Sequence, residues 1–316
     1  MLFFMLKQLV FGHKNPDTDA IVAAIAFSHL ENQLGENTEP VALGKPNDET
    51  KFVLAHFKQQ APRVVTSVAD EVKAVMLVDH NEAQQSVADR DKVQVTKVVD
   101  HHRIANFDTS KPLYYRAEPV GCTSTIITKL YHENQVEIPE KIAGLMLSAI
   151  ISDTLLLKSP TTTDDDKKVV QELAEIAHID ANQYGVEELR AGTNVDDKSA
   201  ADLIASDAKS FTMNGKSVRV AQINTVDVND VFKRQAEFES AIKDSLTTNN
   251  YDLFFLMVTN ILDSNTEALV LGTPTEPVET AFKQKLSAQQ RLALPGVVSR
   301  KKQVVPPLTA AFDETK

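Results

Sequence analysis

The sequence predicts an α/β protein: a mainly parallel-sheet N-terminal domain and a smaller C-terminal α/β domain, joined by a hinge linker. Three observations carry this prediction. Short apolar runs alternate with helical stretches through the first half, the pattern of successive βα units. Two of those runs, AVMLV at Ala74–Val78 and TKVV at residues 96–99, end abruptly in polar residues, as parallel strands buried on both faces do. A length of 316 residues corresponds to about two domains of ordinary size.

Taken in order, residues 1–6 are apolar. They read as a first strand rather than a signal segment, because no basic run leads them, Lys7 interrupts them and no small-residue cleavage site follows. Gln8–Phe11 is a strand, followed by a loop over residues 12–18 and an amphipathic helix over 19–33. Residues 40–43 and 63–66 are short strand candidates, with a helix near 49–59 between them. Helices are expected over 122–134, 140–156 and 164–178. The run IAGLMLSAIISDTLLL at 142–157 is too short to span a bilayer and contains Asp153, so it reads as a buried helix. Residues 187–194 (EELRAGTN) lose apolar periodicity and precede an acidic stretch. They place the domains at 1–187 and 195–316, with a linker at 188–194. Beyond it, residues 218–226, 252–261 and 268–271 read as strands, and residues 229–246 as one long polar helix. Residues 111–120, rich in Tyr and Val, are a strand that could form a dimer edge.

Composition narrows the function. The formal charge of −11 gives no footprint for general nucleic-acid binding, so an anionic substrate has to be met by metal ions or a local basic cluster. The single cysteine, Cys122, excludes a disulfide scaffold and suits a reducing compartment. With no membrane span or targeting segment expected, the location expected is the cytoplasm.

Three strands of the first half end in residues that bind metals. After the first comes GHKNPDTDA (12–20), after AVMLV comes Asp79-His80-Asn81, and after TKVV comes Asp100-His101-His102. In a parallel sheet such loops share one edge, where ligands bind. One His or Asp after a strand is ordinarily a turn residue or helix cap. Here four of the eight histidines fall in these loops, together with Asp17, Asp19, Asp79 and Asp100, which points to a metal site. Asp17 and Asp19 would point about 200° apart in mid-helix, but on a loop or first turn each can reach a different ion. His101 and His102, being adjacent, can divide between ligand and substrate-facing roles. Asp153 lies within an apolar helix, where a carboxylate is costly unless it is paired or metal-bound.

The motifs GHKNPDTDA at 12–20, VDHN at 78–81, VDHH at 99–102, SDT at 152–154 and SRKKQ at 299–303 resemble those of the family II, manganese-dependent inorganic pyrophosphatases of the DHH phosphoesterase superfamily. The resemblance extends over nearly the whole chain, shows no departure at a motif position, and matches the short form without a regulatory insert. It implies an N-terminal DHH domain, a DHHA2-like C-terminal domain, and a two-metal centre. His13, Asp17 and Asp79 would hold one ion, and Asp19, Asp79, His101 and Asp153 the other, with Asp79 bridging. The mixed carboxylate and imidazole donors suit Mn²⁺ or Co²⁺, two per subunit, with Mg²⁺ arriving on the substrate. Asp100 and His80 would orient ligands, His102 would face the leaving phosphate, and Lys209, Arg300 and Lys301 would bind diphosphate.

Four ligand aspartates would balance two divalent ions, so the basic residues and Mg²⁺ must supply the attraction for a polyanion. The reaction implied is in-line attack on phosphorus by a metal-bridging hydroxide, in a cleft between the domains that closes about the linker. Cys122 is expected to pack at a helix start rather than act as a nucleophile. A homodimer is implied as well. The alternatives are another DHH phosphoesterase (an exopolyphosphatase, an oligoribonuclease or a cyclic-dinucleotide phosphodiesterase) and a catalytically silent metal or phosphate sensor. The nucleic-acid members commonly carry a GGGH-type motif that is missing here, and a silent sensor predicts a degenerate ligand set, whereas all six ligand positions are filled.

Overall fold

The structure, a computed structural model, describes residues 6–314. The strand expected from residues 1–6 lies, except for Leu6, outside the described residues. The chain divides into two compact units, Met1–Gly192 and Thr193–Lys316.

The first unit is a five-stranded sheet of β1 (Gln8–Phe11), β2 (Thr38–Pro40), β3 (Ala74–Val78), β4 (Gln94–Asp100) and β5 (Tyr114–Ala117). Every pairing is parallel and the spatial order is β2-β1-β3-β4-β5. Leu9, Val10, Phe11 and Val75 to Val78 have no exposed surface, which explains why these runs do not alternate. Its helices are α1 (Thr18–Gln33), α2 (Asp48–His56), α3 (Thr123–Glu133), α4 (Glu140–Thr154), α5 (Asp164–Ala177) and α6 (Ala181–Gly192). The apolar run at 142–157 is largely α4, buried among α1, α3 and α5, with the Ser148 hydroxyl donating to the Gly144 carbonyl. No described helix is long and apolar enough to cross a membrane.

The short strands expected at 40–43 and 63–66 shrink to β2 and an isolated bridge between Ala42 and Val64. Pro40 has no N–H to continue the ladder. Within the linker expected at 188–194, residues up to Gly192 are helical, the last turns of α6, and the boundary between the two units falls at Gly192 and Thr193. Tyr184, Glu188 and Leu189 form the buried face of that helix. Glu188 has no exposed surface, and burial, followed by the Glu49 and Asp153 carboxylates, pushes its carboxyl pKa well up. A glutamate at a core position is what made the helical period appear lost.

The second unit holds a mixed sheet in the order β10-β9-β8-β7-β6. Its elements are α7 (Ala200–Ser206), β6 (Ala208–Met213), β7 (Lys216–Thr225), α8 (Val228–Phe232), α9 (Gln235–Asn249), β8 (Leu253–Asn260), β9 (Asn265–Gly272), α10 (Glu276–Phe282), β10 (Arg291–Pro295) and α11 (Val305–Glu314). Only β7 and β8 pair in parallel; β6, β9 and β10 pair antiparallel with their neighbours. The single helix expected over 229–246 is broken at Lys233 and Arg234. There the Arg234 guanidinium turns away to donate to the Val195 carbonyl and to Glu237, and it lies 5.6 Å from the Phe238 ring centre.

Candidate metal centre

The strand order of the first unit puts β1, β3 and β4 side by side and parallel, so their carboxyl ends share one edge. The chain runs from β1 outward to β2 and then crosses to β3 on the other side, which makes that edge a topological switch point. Gly12 begins the first loop, where a β-carbon would lie 2.6 Å from the Ala20 side chain, too close for any larger residue. Asp17 caps α1 by accepting from the Ala20 N–H at 3.0 Å. Asp79 directly follows β3 with φ +55°, a left-handed conformation that turns the chain sharply at the strand end.

Asp79 is the centre of the cluster and is 1% exposed. Its Oδ2 lies 3.5 Å from His13 Nε2, which is 3.4 Å from Asp17 Oδ2. Its Oδ1 lies 3.3 Å from His101 Nε2, which is 3.9 Å from Asp153 Oδ2. Donor atoms of His13, Asp17 and Asp79 all lie within 4.8 Å of one another, as do those of Asp19, Cys122 and Asp153. Two donors about 2.1 Å from a common cation, at right or tetrahedral angles, stand about 3.0–3.4 Å apart. The spacings at Asp79 and Asp17 match that better than they match hydrogen bonds.

Neighbouring groups fix these side chains. His101 Nδ1 is 3.1 Å from the Val120 carbonyl, which assigns its proton to Nδ1 and leaves the Nε2 lone pair facing the carboxylates. Asp19, fully buried, accepts from the Thr123 and Ser124 N–H groups at the start of α3 and from Ser124 Oγ at 2.7 Å. Thr123 Oγ1 donates to Asp79 Oδ1 at 3.1 Å. Asp166 anchors the same segment, accepting from the Gly121 N–H and from Thr125 Oγ1. Asp100 accepts hydrogen bonds from His102 Nδ1 at 2.9 Å and from the Asn81 amide nitrogen at 2.6 Å. His80 bonds to the Val78 carbonyl and Ser86 Oγ. His102, with its side chain half exposed, lines a cavity of about 460 Å³ together with His13, Asp79, Asn81 and Arg103.

Electrostatics mark the centre as incomplete without cations. Burial, then the Asp19, Asp17 and Asp100 carboxylates, push the Asp79 pKa well up. Burial, then Asp19 and Asp79, do the same to Asp153. Burial pulls His101 down, but Asp19 and Asp153 outweigh it and the net shift is upward. Burial holds His80 at about 4, so its ring is neutral at pH 7. Burial, followed by the Asp19 and Asp153 carboxylates, keeps Cys122 a thiol, packed at the N-cap position of α3. Aspartates crowded in this way fit divalent ions, and oxygen and imidazole donors suit manganese.

A stability prediction follows from the raised carboxylates. A folded-state pKa above the unfolded value means that the native state binds more protons, so stability is lost as pH rises from about 4 toward that folded pKa. Metal-free Asp79→Asn should therefore melt a few degrees above the metal-free native protein at pH 7.5 and level with it near pH 4. Equal melting at both pH values would refute the repulsion.

In the second unit, Lys209 of β6 and the Ser299–Lys301 segment line a cavity of about 380 Å³ with Gln222. Arg300 opens a π-helical turn, Arg300–Val304, and its guanidinium is held by Asp207 through both the carboxylate and the main-chain carbonyl, each at 2.7 Å. Gln303 accepts from the Val298 and Ser299 N–H groups and donates to the Gly296 carbonyl, pinning the loop. Lys209 and Lys301 carry no ion pair among the described residues.

Sequence reasoning did not find Thr123, Ser124, Glu49 or Asp166. Ser and Thr at a helix start are the usual caps, so nothing in the local pattern marks these as partners of a metal ligand.

Comparison with known proteins first gives the class. Residues 7–150 match the DHH family N-terminal domain and residues 187–311 the DHHA2 domain. The manganese-dependent inorganic pyrophosphatase of Bacillus subtilis is 56% identical, with 98% of this chain and all of that protein aligned. A Lactiplantibacillus plantarum protein named "Probable manganese-dependent inorganic pyrophosphatase" is 66% identical over the same shares. The crystal structure of a Methanococcus jannaschii protein assigned to the family II inorganic pyrophosphatases superposes with a TM-score of 0.62 at 38% identity, covering 98% of this chain and all of that one. The chain belongs to the family II, manganese-dependent inorganic pyrophosphatases of the DHH superfamily.

Proposed function

We propose that this protein hydrolyses inorganic diphosphate to two phosphates with two Mn²⁺ or Co²⁺ ions per subunit, the substrate arriving with Mg²⁺. The observation that carries the reading is the divided use of Asp79: Oδ2 toward His13 and Asp17, Oδ1 toward His101 and beyond it Asp153. A carboxylate whose two oxygens face two donor sets suits a bridge between two cations. Asp19, Asp153 and His101 would hold one ion with Asp79; His13 and Asp17 would hold the other with it.

Bound divalent ions supply Lewis-acid neutralisation of phosphoryl charge and bring the pKa of water down to about 7. The protein's own groups do the rest. Asp100 accepts from Nδ1 of His102, so Nε2 is the nitrogen left to face the leaving phosphate; a ring protonated on both nitrogens would give the Nε2 proton there and keep the one on Nδ1. Lys209, Arg300 and Lys301 receive the diphosphate charge, and Asp207 fixes the Arg300 fork in advance. The location expected is the cytoplasm, and the oligomer expected is a homodimer, with β5, one of the two outer strands of the first unit's sheet, as the pairing strand.

The test is phosphate release by metal-stripped protein before and after Mn²⁺ addition. Rapid release from diphosphate, dependent on Mn²⁺, with little from long polyphosphate or dinucleotides, is the expected outcome. Faster turnover of either polymer would assign the protein to another branch of the superfamily, and no turnover at all would leave a sensor.

A further inference from the structure

Glu49 stands in the first turn of α2, outside every motif of the site and far in sequence from most of it. Its Oε1 accepts from Thr18 Oγ1 at 2.7 Å and also from Ser152 Oγ. Thr18 lies between Asp17 and Asp19, and Ser152 directly precedes Asp153. One carboxylate oxygen thus joins the start of α1 to the end of α4, the two helices that carry three of the six proposed ligands. The joint is reinforced on both sides. Thr18 Oγ1 is also 3.1 Å from Thr50 Oγ1, with both threonines fully buried. On the far side, a β-carbon at Gly192 would lie 2.7 Å from Glu49 Oε2, so α6 closes over that oxygen and limits its movement.

The backbone beside this joint is not one that would hold its shape unaided. Immediately after Asp153 and Thr154, Leu155, Leu156 and Leu157 have φ of +48°, +54° and +63°, a left-handed stretch in residues that disfavour it. Such a stretch persists only when its surroundings over-determine it. The Leu157 N–H donates to Thr154 Oγ1, and Ser152 is tied to Glu49.

We infer that Glu49 is a positioning residue of the metal centre, clamping Thr18 to Ser152 so that Asp17, Asp19 and Asp153 are held at ligand distance before any cation arrives. The inference rests on the ligand assignment proposed above. Glu49 itself touches neither cation nor substrate; it acts through two hydroxyl donors, and what it needs is an acceptor oxygen at that point rather than a charge. Metal ligands whose outer partners are removed ordinarily lose about 10–100-fold in affinity, because the donors must then be ordered by the metal itself.

The experiment is isothermal titration of Mn²⁺ into the metal-stripped full chain. Glu49→Ala is expected to weaken binding by about 10–100-fold. Glu49→Gln, which keeps an oxygen able to accept both hydroxyls, should stay within about threefold of the native protein. Ser152→Ala removes one arm and should weaken binding by about three- to tenfold. Added to Glu49→Ala, it should cost almost nothing further, because the two residues act through one joint. If Glu49→Ala does not fold, Ser152→Ala and Glu49→Gln decide alone.

Native affinity in Glu49→Ala or in Ser152→Ala overturns the clamp, as does a loss in Glu49→Gln as large as in Glu49→Ala, which would make the effect one of charge. Asp153→Asn in the same titration separates the two levels of the argument. If it leaves Mn²⁺ binding untouched, the ligand assignment itself fails; if it cripples binding while Glu49→Ala does not, only the clamp fails.

Discussion

Asp79→Ala is expected to abolish diphosphate hydrolysis and to weaken the binding of both cations together. Asp79 faces both donor sets: His13 lies 3.5 Å from one of its oxygens and His101 3.3 Å from the other. Removing it takes away the ligand proposed to be shared and leaves Thr123 Oγ1 without its acceptor. Loss of metal-derived charge stabilisation and of water activation should lower kcat on the order of a thousandfold or more. Raising Mn²⁺ should not restore it, because the missing element is the bridge and not occupancy alone. The contrast is His13→Ala, which touches one donor set and should be partly rescued by high Mn²⁺. Activity of Asp79→Ala within tenfold of native at saturating Mn²⁺ would sink the bridging role. A variant that kept one high-affinity Mn²⁺ site unaltered would do the same.

The second large effect concerns Arg300. Its guanidinium is mostly buried and held at 2.7 Å by the Asp207 carboxylate, so it is oriented before an anion arrives. Truncating a desolvated, hydrogen-bonded charge costs about 2–5 kcal/mol, and the lower half of that range already corresponds to about a hundredfold. Arg300→Ala should therefore reduce kcat/KM for diphosphate by about a hundredfold, with Mn²⁺ affinity unchanged because the ligands belong to the other unit. Arg300→Lys should recover only part of the loss, since an ammonium cannot present two parallel donors. A change in Mn²⁺ binding without a change in KM would be incompatible with a substrate-binding role.

The fold was legible to different depths along the chain. β3 was read to the residue because a strand buried on both faces is apolar throughout and ends where burial ends. α1, α3, α4 and α5 were found within one or two residues; α1 and α5 open on a side-chain cap and α4 on a proline, while α3 is marked by its apolar pattern alone. β6 and β10 went unread. They are the outer strands of the second sheet and are partly exposed, so AKSFTM and RLALP carry little of the hydrophobic signal a core strand shows. The final turns of α6 were taken for a linker because Glu188, a buried acid, occupies a position where the helical period calls for an apolar residue. The break at Arg234 could not be read because it depends on a carbonyl at Val195, 39 residues away.

The same division holds at the site. Asp17, Asp19, Asp79, Asp100, His101 and His102 stand at the ends of strands or at the start of the segment that follows, so the sheet alone brings them to one edge, and their identities were enough to name the family. The amino-acid sequence by itself determined the kinds of side chain available, the parallel sheet that gathers them and the basic block at 299–303. Only the tertiary structure decided which Asp79 oxygen faces which histidine, that the Val120 carbonyl sets the proton of His101, and that Glu49 joins Thr18 to Ser152. The reason is physical. Periodicity and turn chemistry record how each residue meets its near neighbours and the solvent. A hydrogen bond between residues a hundred positions apart leaves no pattern along the chain and exists only once the core has packed.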